Sequence, residues 1–288
     1  MGVLNFTPDS FSDGGAYSDV GAAVAAGRQM AADGADIIDV GGESTRPGAA
    51  AIDPGIEQER IIPIIRALAS YGTPISVDTR NAATMLAALR VGASIVNDVS
   101  GLNHDPASAS IVASNRCAVV LMHMRGSPVT MGKHASYRVV VEEVAAELSA
   151  CVAAAEKAGI QRHSIALDPG VGFAKDAGQS AVLLGGLARL ADLGYPLMVG
   201  VSRKSFIGAL ARERDSHQRL AGSLAAALFA LSQGAAILRV HDVRETVQAV
   251  RVWTALSSCA EDHAARRDGA NLRAETPSRG LVREAPGP

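Results

Sequence analysis

The sequence predicts an α/β protein of the (β/α)8 kind, a TIM barrel. Apolar strand-like runs alternate with helical periodicity in eight strand-then-helix units. Each run closes on a polar residue, and the roughly 260 residues involved suit such a barrel. The alternative, a doubly wound open sheet, usually needs fewer units and often carries a GxGxxG turn after its first strand; the sequence has no GxGxxG.

The first run, Val3 and Leu4, ends at Asn5, and Thr7 to Gly15 follow as a polar, turn-forming segment too long for a simple hairpin. From Asp19 to Asp33, Val20, Ala23, Val24, Gly27 and Met30 fall at helical spacing, and Gly34 closes that helix. Ala35 to Val40 reads as a buried strand carrying Asp39, followed by a Gly/Pro loop and a helix from Asp53 to about Tyr71. Strand Pro74 to Val77 ends at Asp78, with a helix over 81–91 behind it. Strand Ser94 to Val96 ends at Asn97 and Asp98, with a helix over 106–114. Strand Cys117 to Met122 ends at His123, and the longest helix is expected over 137–158. Strand Ser164 to Leu167 ends at Asp168, with a helix near 179–193. Strand Pro196 to Val201 ends at Ser202, and Arg203, Lys204 and Ser205 open the next helix. Strand Ala235 to Val240 brings Arg239 and His241, with a last helix over 243–258. From about Glu261 the chain is charged, rich in Gly and Pro and aperiodic, so a single domain over 1–259 and a disordered tail over 260–288 are expected.

Composition agrees. A hydrophobic fraction of 48% with only 3% aromatics favours small-residue helices packed on Val/Ile strands. Twenty-seven basic against 29 acidic residues give a net charge of −2, which removes the electrostatic case for nucleic acid or an acidic membrane surface and favours a small-molecule partner. Cys117, Cys151 and Cys259 are odd in number and lack metal-ligand spacing, as buried or free thiols in a reducing cytosol do. No apolar run reaches the roughly 18 residues of a membrane helix, and no charged-then-apolar leader precedes the first strand, so a soluble, cytoplasmic protein is expected.

Parallel barrel strands end on one rim, where Asn5, Asp39, Asp78, Asn97, His123, Asp168, Ser202 and Arg239 with His241 should converge. Asp78, Asn97 and Asp168 can together grip a flat heterocycle with adjacent donors and acceptors, such as a pterin or guanine-like edge. Lys204, Arg239, His241 and Asn5 supply charge and donors for a phosphate or pyrophosphate, although a salt bridge to a neighbouring carboxylate is the competing role for Arg239. Thr45 and Arg46 stand beside Pro47 in a turn that needs the proline but not the guanidinium. Gly170 and Gly172 permit close backbone approach to a ligand, while Phe173 is divided evenly between stacking and packing. Ser205 stands where a helix N-terminus could receive an anion.

Together NFTPDSFSDGG, DVGGESTRPGA, SVDT, IVNDVSG, LMHMRG, LDPGVGFAK, VGVSRKSFIG and RVHDV closely resemble dihydropteroate synthase, over about residues 1 to 255. The resemblance implies a (β/α)8 homodimer that joins 6-hydroxymethyl-7,8-dihydropterin pyrophosphate to para-aminobenzoate, with Mg2+, in folate biosynthesis. By the same resemblance Asp78, Asn97, Asp168 and Lys204 hold the pterin, Asn5 ligates Mg2+, and Arg239 and His241 bind the pyrophosphate. The first loop, with Asp9, Phe11 and Asp13, and the second, with Thr45, Arg46 and Pro47, close over the site. Phe173 and Pro47 flank the aminobenzoate ring and Ser205 receives its carboxylate. Asp78, Asp168, Lys204, Asp13 and Arg46 are the expected catalytic set.

The resemblance also makes the chain a sulfonamide target, and whether the pocket around Phe11, Arg46, Pro47, Phe173, Ser205 and Phe206 is sensitive or resistant stays open. Two other readings compete: a pterin-binding methyltransferase domain acting on methyltetrahydrofolate, and a non-catalytic pterin-binding module. Family members usually carry several residues before the first motif. Here either the natural start lies upstream or the barrel closes on a short first strand, prone to fraying.

Overall fold

The computed structural model describes residues 1–7, 19–46 and 48–274. Its eight strands are β1 (Gly2–Asn5), β2 (Ile38–Gly41), β3 (Ile75–Asp78), β4 (Ile95–Asp98), β5 (Ala118–Met122), β6 (Ile165–Asp168), β7 (Leu197–Gly200) and β8 (Ala235–Arg239). They form one sheet in sequence order, every neighbouring pair parallel. The ring closes where Gly2 bridges Val240. There Val3 N donates to Val240 O at 2.9 Å, Val240 N to Met1 O at 3.0 Å, and the Met1 ammonium to Leu238 O at 3.0 Å. The short first strand is therefore hydrogen-bonded along both edges, and at four residues it matches several of its neighbours. The thinnest seam is β6 against β7, with the single register pair Leu167 and Leu197.

Ten α-helices accompany the strands among the described residues: α1 (Val20–Ala32), α2 (Pro54–Ala69), α3 (Ala82–Arg90), α4 (Ser108–Asn115), α5 (Val140–Lys157), α6 (Ala177–Gly185), α7 (Leu187–Ala191), α8 (Ser205–Ala211), α9 (Leu220–Ser232) and α10 (Val243–Ala274). Local chemistry sets their starts. Asp19 and Asp53 cap α1 and α2 through their side chains, and Asp176 and Gln179 form a reciprocal capping box on α6. The single helix expected near 179–193 is divided at Gly186, where a Cβ would come within 2.5 Å of Val141. The longest helix is α10, not the one after β5, and it carries helical structure past Ser258 to Ala274. Residues 1–247 form one compact unit containing the barrel; a second begins at Gln248 and, as far as described, is the remainder of α10.

Strand alternation divides the core in two. Outward residues such as Leu4, Val40, Ile75, Leu121, Leu167 and Val199 join the helices in a continuous buried layer. Inward, Met1, Val120 and Met198 fill the lumen with Ile37, Ile95, Ala166 and Ile237 against them. Two residues further along the same strands, in the same inward register, stand Asp39, Asn97, Asp168 and Arg239. The apolar plug thus floors a polar cup at the C-terminal rim, where barrel active sites lie.

Candidate active site

Arg239 is the centre of the cup. Its Nε donates to Asp39 Oδ2 at 2.7 Å and its Nη2 to Asp78 Oδ2 at 2.6 Å. Asn97 Nδ2 donates to the same Asp39 oxygen at 3.0 Å. Asp39 is fully buried, and Asp78, Asn97 and Asp168 nearly so. Burial pushes the Asp78 carboxyl up to about 7, against the Arg239 charge that favours its ionised form; Asp39 adds repulsion. Burial also raises Asp168, opposed by Lys204 and by the Gly170 N–H, which donates to its Oδ1 at 2.7 Å. One oxygen each of Asp39 and Asp78 has no hydrogen-bond partner, so buried acceptors are still available in the cup.

Both functions weighed for Arg239 bear on this geometry: it is in a salt bridge, with two carboxylates, and it lies in the cup. The pairing offsets burial and raises its pKa, so it stays cationic. Lys204, the residue preceding α8, donates Nζ to Val171 O at 2.5 Å and lies 4.7 Å from the centre of the Phe173 ring. Burial lowers its pKa to about 8, against the pull of Asp168. The half-buried Phe173 therefore presents its ring toward the rim. Glycines keep the mouth open: a Cβ on Gly41 would lie 3.3 Å from Asn5 Oδ1 and 3.6 Å from Asp78 Oδ2, which places Asn5 and Asp78 on either side of one gap.

His241 N donates to Ser202 Oγ at 3.2 Å, and its Nδ1 lies 3.1 Å from the same hydroxyl. In the tautomer whose Nδ1 accepts from this hydroxyl, Nε2 carries the ring hydrogen. Burial, then the adjacent charges of Arg239 and Arg203, lower the imidazole to about 3, so it is neutral at pH 7. Arg203 itself pairs with Asp242. Ser205 is the exposed first residue of α8. Phe206 is buried in the layer between sheet and helices, so its bulk is spent on packing.

The second loop starts from a rigid base. Glu43 receives Arg80 Nε at 2.9 Å and Nη2 at 2.8 Å, and the oxygen facing Nη2 also accepts from Ile52 N at 3.3 Å. The exposed Arg46 and half-buried Thr45 lie within this closed span. Gly48 N donates to Pro128 O at 2.9 Å, joining the loop to the one after β5. Asp9, Phe11, Asp13 and Pro47 lie outside the described residues.

His123 is not part of the cup. Met122 is the residue in register with Asp168, so alternation turns the next side chain outward. His123 Nε2 lies 3.0 Å from Glu147 Oε2, and its Nδ1 is 2.9 Å from Lys175 Nζ. Burial, then the Lys175 charge, lower this imidazole to about 4. Arg125 completes the cluster by pairing with Glu147 and Glu143. Sequence reasoning missed Lys175, Glu147, Glu43 and Arg80 as site-supporting residues. Lys175 and Glu43 did stand inside quoted motifs, but nothing local distinguished them from solvated loop charges. Among the described residues no three His, Cys, Asp or Glu side chains form a metal-holding group, and no helix is long and apolar enough to cross a membrane.

A (β/α)8 barrel with three buried carboxylates, an amide, a lysine and an arginine at its C-terminal rim defines a class, and the family model described as pterin binding enzyme matches residues 1–241. The dihydropteroate synthase of Neisseria meningitidis serogroup C is 46% identical over 259 residues, covering 89% of this chain and 92% of that protein. A structure of the Xanthomonas albilineans dihydropteroate synthase with 4-aminobenzoic acid superposes with a TM-score of 0.84 at 46% identity, covering 89% of this chain and 92% of that one. The same enzyme in complex with 7,8-dihydropteroate gives a TM-score of 0.81 at 44% identity, with the same coverage. Within that class, this chain belongs to the dihydropteroate synthase family.

Proposed function

We propose that the protein condenses 6-hydroxymethyl-7,8-dihydropterin pyrophosphate with para-aminobenzoate, giving 7,8-dihydropteroate and pyrophosphate. The observation that carries this reading is the juxtaposition of Asp78, Asn97, Asp168 and Lys204 around Arg239 on a barrel of that family. Asp78, Asn97 and Asp168 hold the aminopyrimidinone edge of the pterin, whose donors and acceptors match carboxylate and amide chemistry, and Lys204 covers its ring. Arg239, His241 through its Nε2–H, and Asn5 bind the pyrophosphate. Phe173, Thr45, Arg46, Pro47, Phe11 and Ser205 receive the aminobenzoate, and Asp13 acts with the first loop in closing the site.

Aminobenzoate nitrogen is a weak nucleophile, since its lone pair is delocalised into the ring. The reaction therefore begins by ionisation. The carbon–oxygen bond between the pterin methylene and the pyrophosphate breaks, and its electron pair leaves with the pyrophosphate, whose charge Arg239 offsets. Asp78 and Asp168 stabilise the electron-poor methylene that remains. The amine then forms the carbon–nitrogen bond and gives up its proton to the released pyrophosphate, and no covalent enzyme intermediate is needed. Closure of the loops excludes the water that would trap the cation as an alcohol.

The donors at the rim fit Mg2+ as a companion of the substrate. That ion is held by few protein oxygens together with phosphate oxygens and water, and Asn5 Oδ1, open beside Gly41, would supply the protein ligand. When bound it would neutralise leaving-group charge. A homodimer working in the cytoplasm completes the proposal. Pyrophosphate release measured with each substrate alone and with both is the test. Release requiring both supports the synthase, while transfer from methyltetrahydrofolate, or binding of pterin without turnover, would replace it.

A further inference from the structure

Between β6 and α6 the chain runs through three left-handed residues at alternate positions: Gly170 (φ 66°), Gly172 (φ 81°) and Ala174 (φ 48°). The alanine has no glycine freedom there, so the loop needs an external tie to hold this shape. Lys175 provides one. In its charged form, whose pKa burial lowers to about 7, its Nζ carries three hydrogens for three acceptors: Gly170 O at 3.1 Å, Phe173 O at 2.9 Å and His123 Nδ1 at 2.9 Å. Gly170 O also accepts from Phe173 N at 3.0 Å, so the ammonium fastens both ends of one turn. On the far side His123 passes the link to Glu147, whose carboxylate accepts from Nε2–H and so leaves Nδ1 free to accept from Lys175. The buried lysine makes no hydrogen bond to a side chain of the cup, although its charge is felt at Asp168, and the turn it closes carries the Phe173 ring and Val171 O, the acceptor for Lys204.

We infer that Lys175, oriented by His123 and Glu147, is a positioning residue: it clamps the Gly170–Phe173 turn and so fixes the wall that Phe173 gives the aminobenzoate ring. This rests on the reading of the site as a dihydropteroate synthase. The same turn gives Asp168 the Gly170 N–H and gives Lys204 the Val171 carbonyl, so loosening it reaches the pterin side too; the aminobenzoate wall, which the turn itself carries, takes the larger effect.

The test compares the intact wild-type chain with Lys175→Met, His123→Leu and His123→Asn. Lys175→Met is expected to raise KM for para-aminobenzoate at least tenfold, and by more than it lowers kcat. His123→Leu removes one acceptor and should give the same split at smaller size, and His123→Asn, which restores an acceptor near the Nδ1 position, should return KM toward wild type. Hydrogen exchange over residues 170–174 should accelerate at least tenfold in Lys175→Met. KM values within twofold of wild type in folded Lys175→Met, or a His123→Asn no better than His123→Leu, would overturn the inference, as would unchanged exchange. Should Lys175→Met not fold, the His123 pair decides alone. A wild-type chain that releases no pyrophosphate defeats the proposed reaction instead, and the exchange comparison still decides whether the clamp exists.

Discussion

Arg239 Nη2 lies 2.6 Å from Asp78 Oδ2, a contact 161 residues apart in sequence that joins the last strand of the barrel to the third. The same guanidinium serves Asp39, so one cation balances two buried carboxylates. Asp78 keeps its other oxygen without a partner. Asp78→Asn leaves Arg239 paired with Asp39 while removing a carboxyl from the proposed pterin site. We expect kcat/KM to fall more than about tenfold, equivalent to about 1.4 kcal/mol of lost transition-state stabilisation. Steady-state pyrophosphate release measures it, and an unchanged value would remove Asp78 from the chemistry.

The bond between Glu43 and Arg80 predicts a stability effect. Both side chains are almost wholly buried, at 3% and 7% exposure. Arg80→Met leaves the Glu43 carboxylate stranded, at a cost of about 3 kcal/mol. Glu43→Gln combined with Arg80→Met removes both charges and should recover a large part of that loss. Denaturant unfolding of both single variants and the double variant gives the coupling energy; additive losses would show that the pair does not secure the base of the second loop.

Strand ends were legible because a short continuous apolar run stopped by a polar residue is a local signal, and Asp78, Asn97, Asp168 and Arg239 each stand at the end of such a run. Parity was harder. His123 follows its strand as Asp78 ends its own, but only the register of Met122 against Asp168 reveals that His123 turns away. Long-range partners left no trace in sequence: Lys175 and Glu147 meet through His123, and the division at Gly186 depends on Val141 from another helix. Past Ser258 the chain loses apolar periodicity, yet its Ala, Arg and Glu content favours helix by intrinsic propensity, which explains why α10 runs to Ala274.

His123 also predicts a pH effect. Its folded-state pKa is lowered from 6.5 to about 4, so between these values the unfolded chain takes up a proton that the folded chain refuses. Stability from this group is complete above about 6.5 and is lost as pH falls toward 4, at about 1.4 kcal/mol per pH unit. Asp78 and Asp98, raised to about 7 and about 6 by burial, act oppositely, since the folded chain protonates them first. The total acid curve therefore mixes signs, and the difference between wild type and His123→Asn isolates the histidine. Wild type should lose stability relative to the variant by about 2 kcal/mol between pH 6.5 and 5. A constant difference would mean that the ring titrates alike in the folded and unfolded chains.

Gly170 supplies the sharpest steric prediction. Its φ of 66° already disfavours any side chain, and a Cβ there would lie 2.0 Å from the His123 carbonyl oxygen. That oxygen is backbone at the end of β5, held in place because His123 N donates to Asp168 O at 2.9 Å, so it cannot move aside as a flexible side chain would. Gly72 makes the matched control: its φ is 83°, but nothing lies within 4 Å of its Cβ position. Gly72→Ala should therefore cost only the backbone strain of about 1 kcal/mol. Gly170→Ala should lose at least about 2 kcal/mol more, because relief of the overlap has to push the turn off the strand end. That displacement carries Phe173 and Val171 with it, so kcat/KM should fall in Gly170→Ala even where the protein remains folded, and stay near wild type in Gly72→Ala. Equal stability losses in the two variants would show that the loop after β6 can slide away from β5 without cost, and with it the rigidity on which the wall of the site depends would disappear.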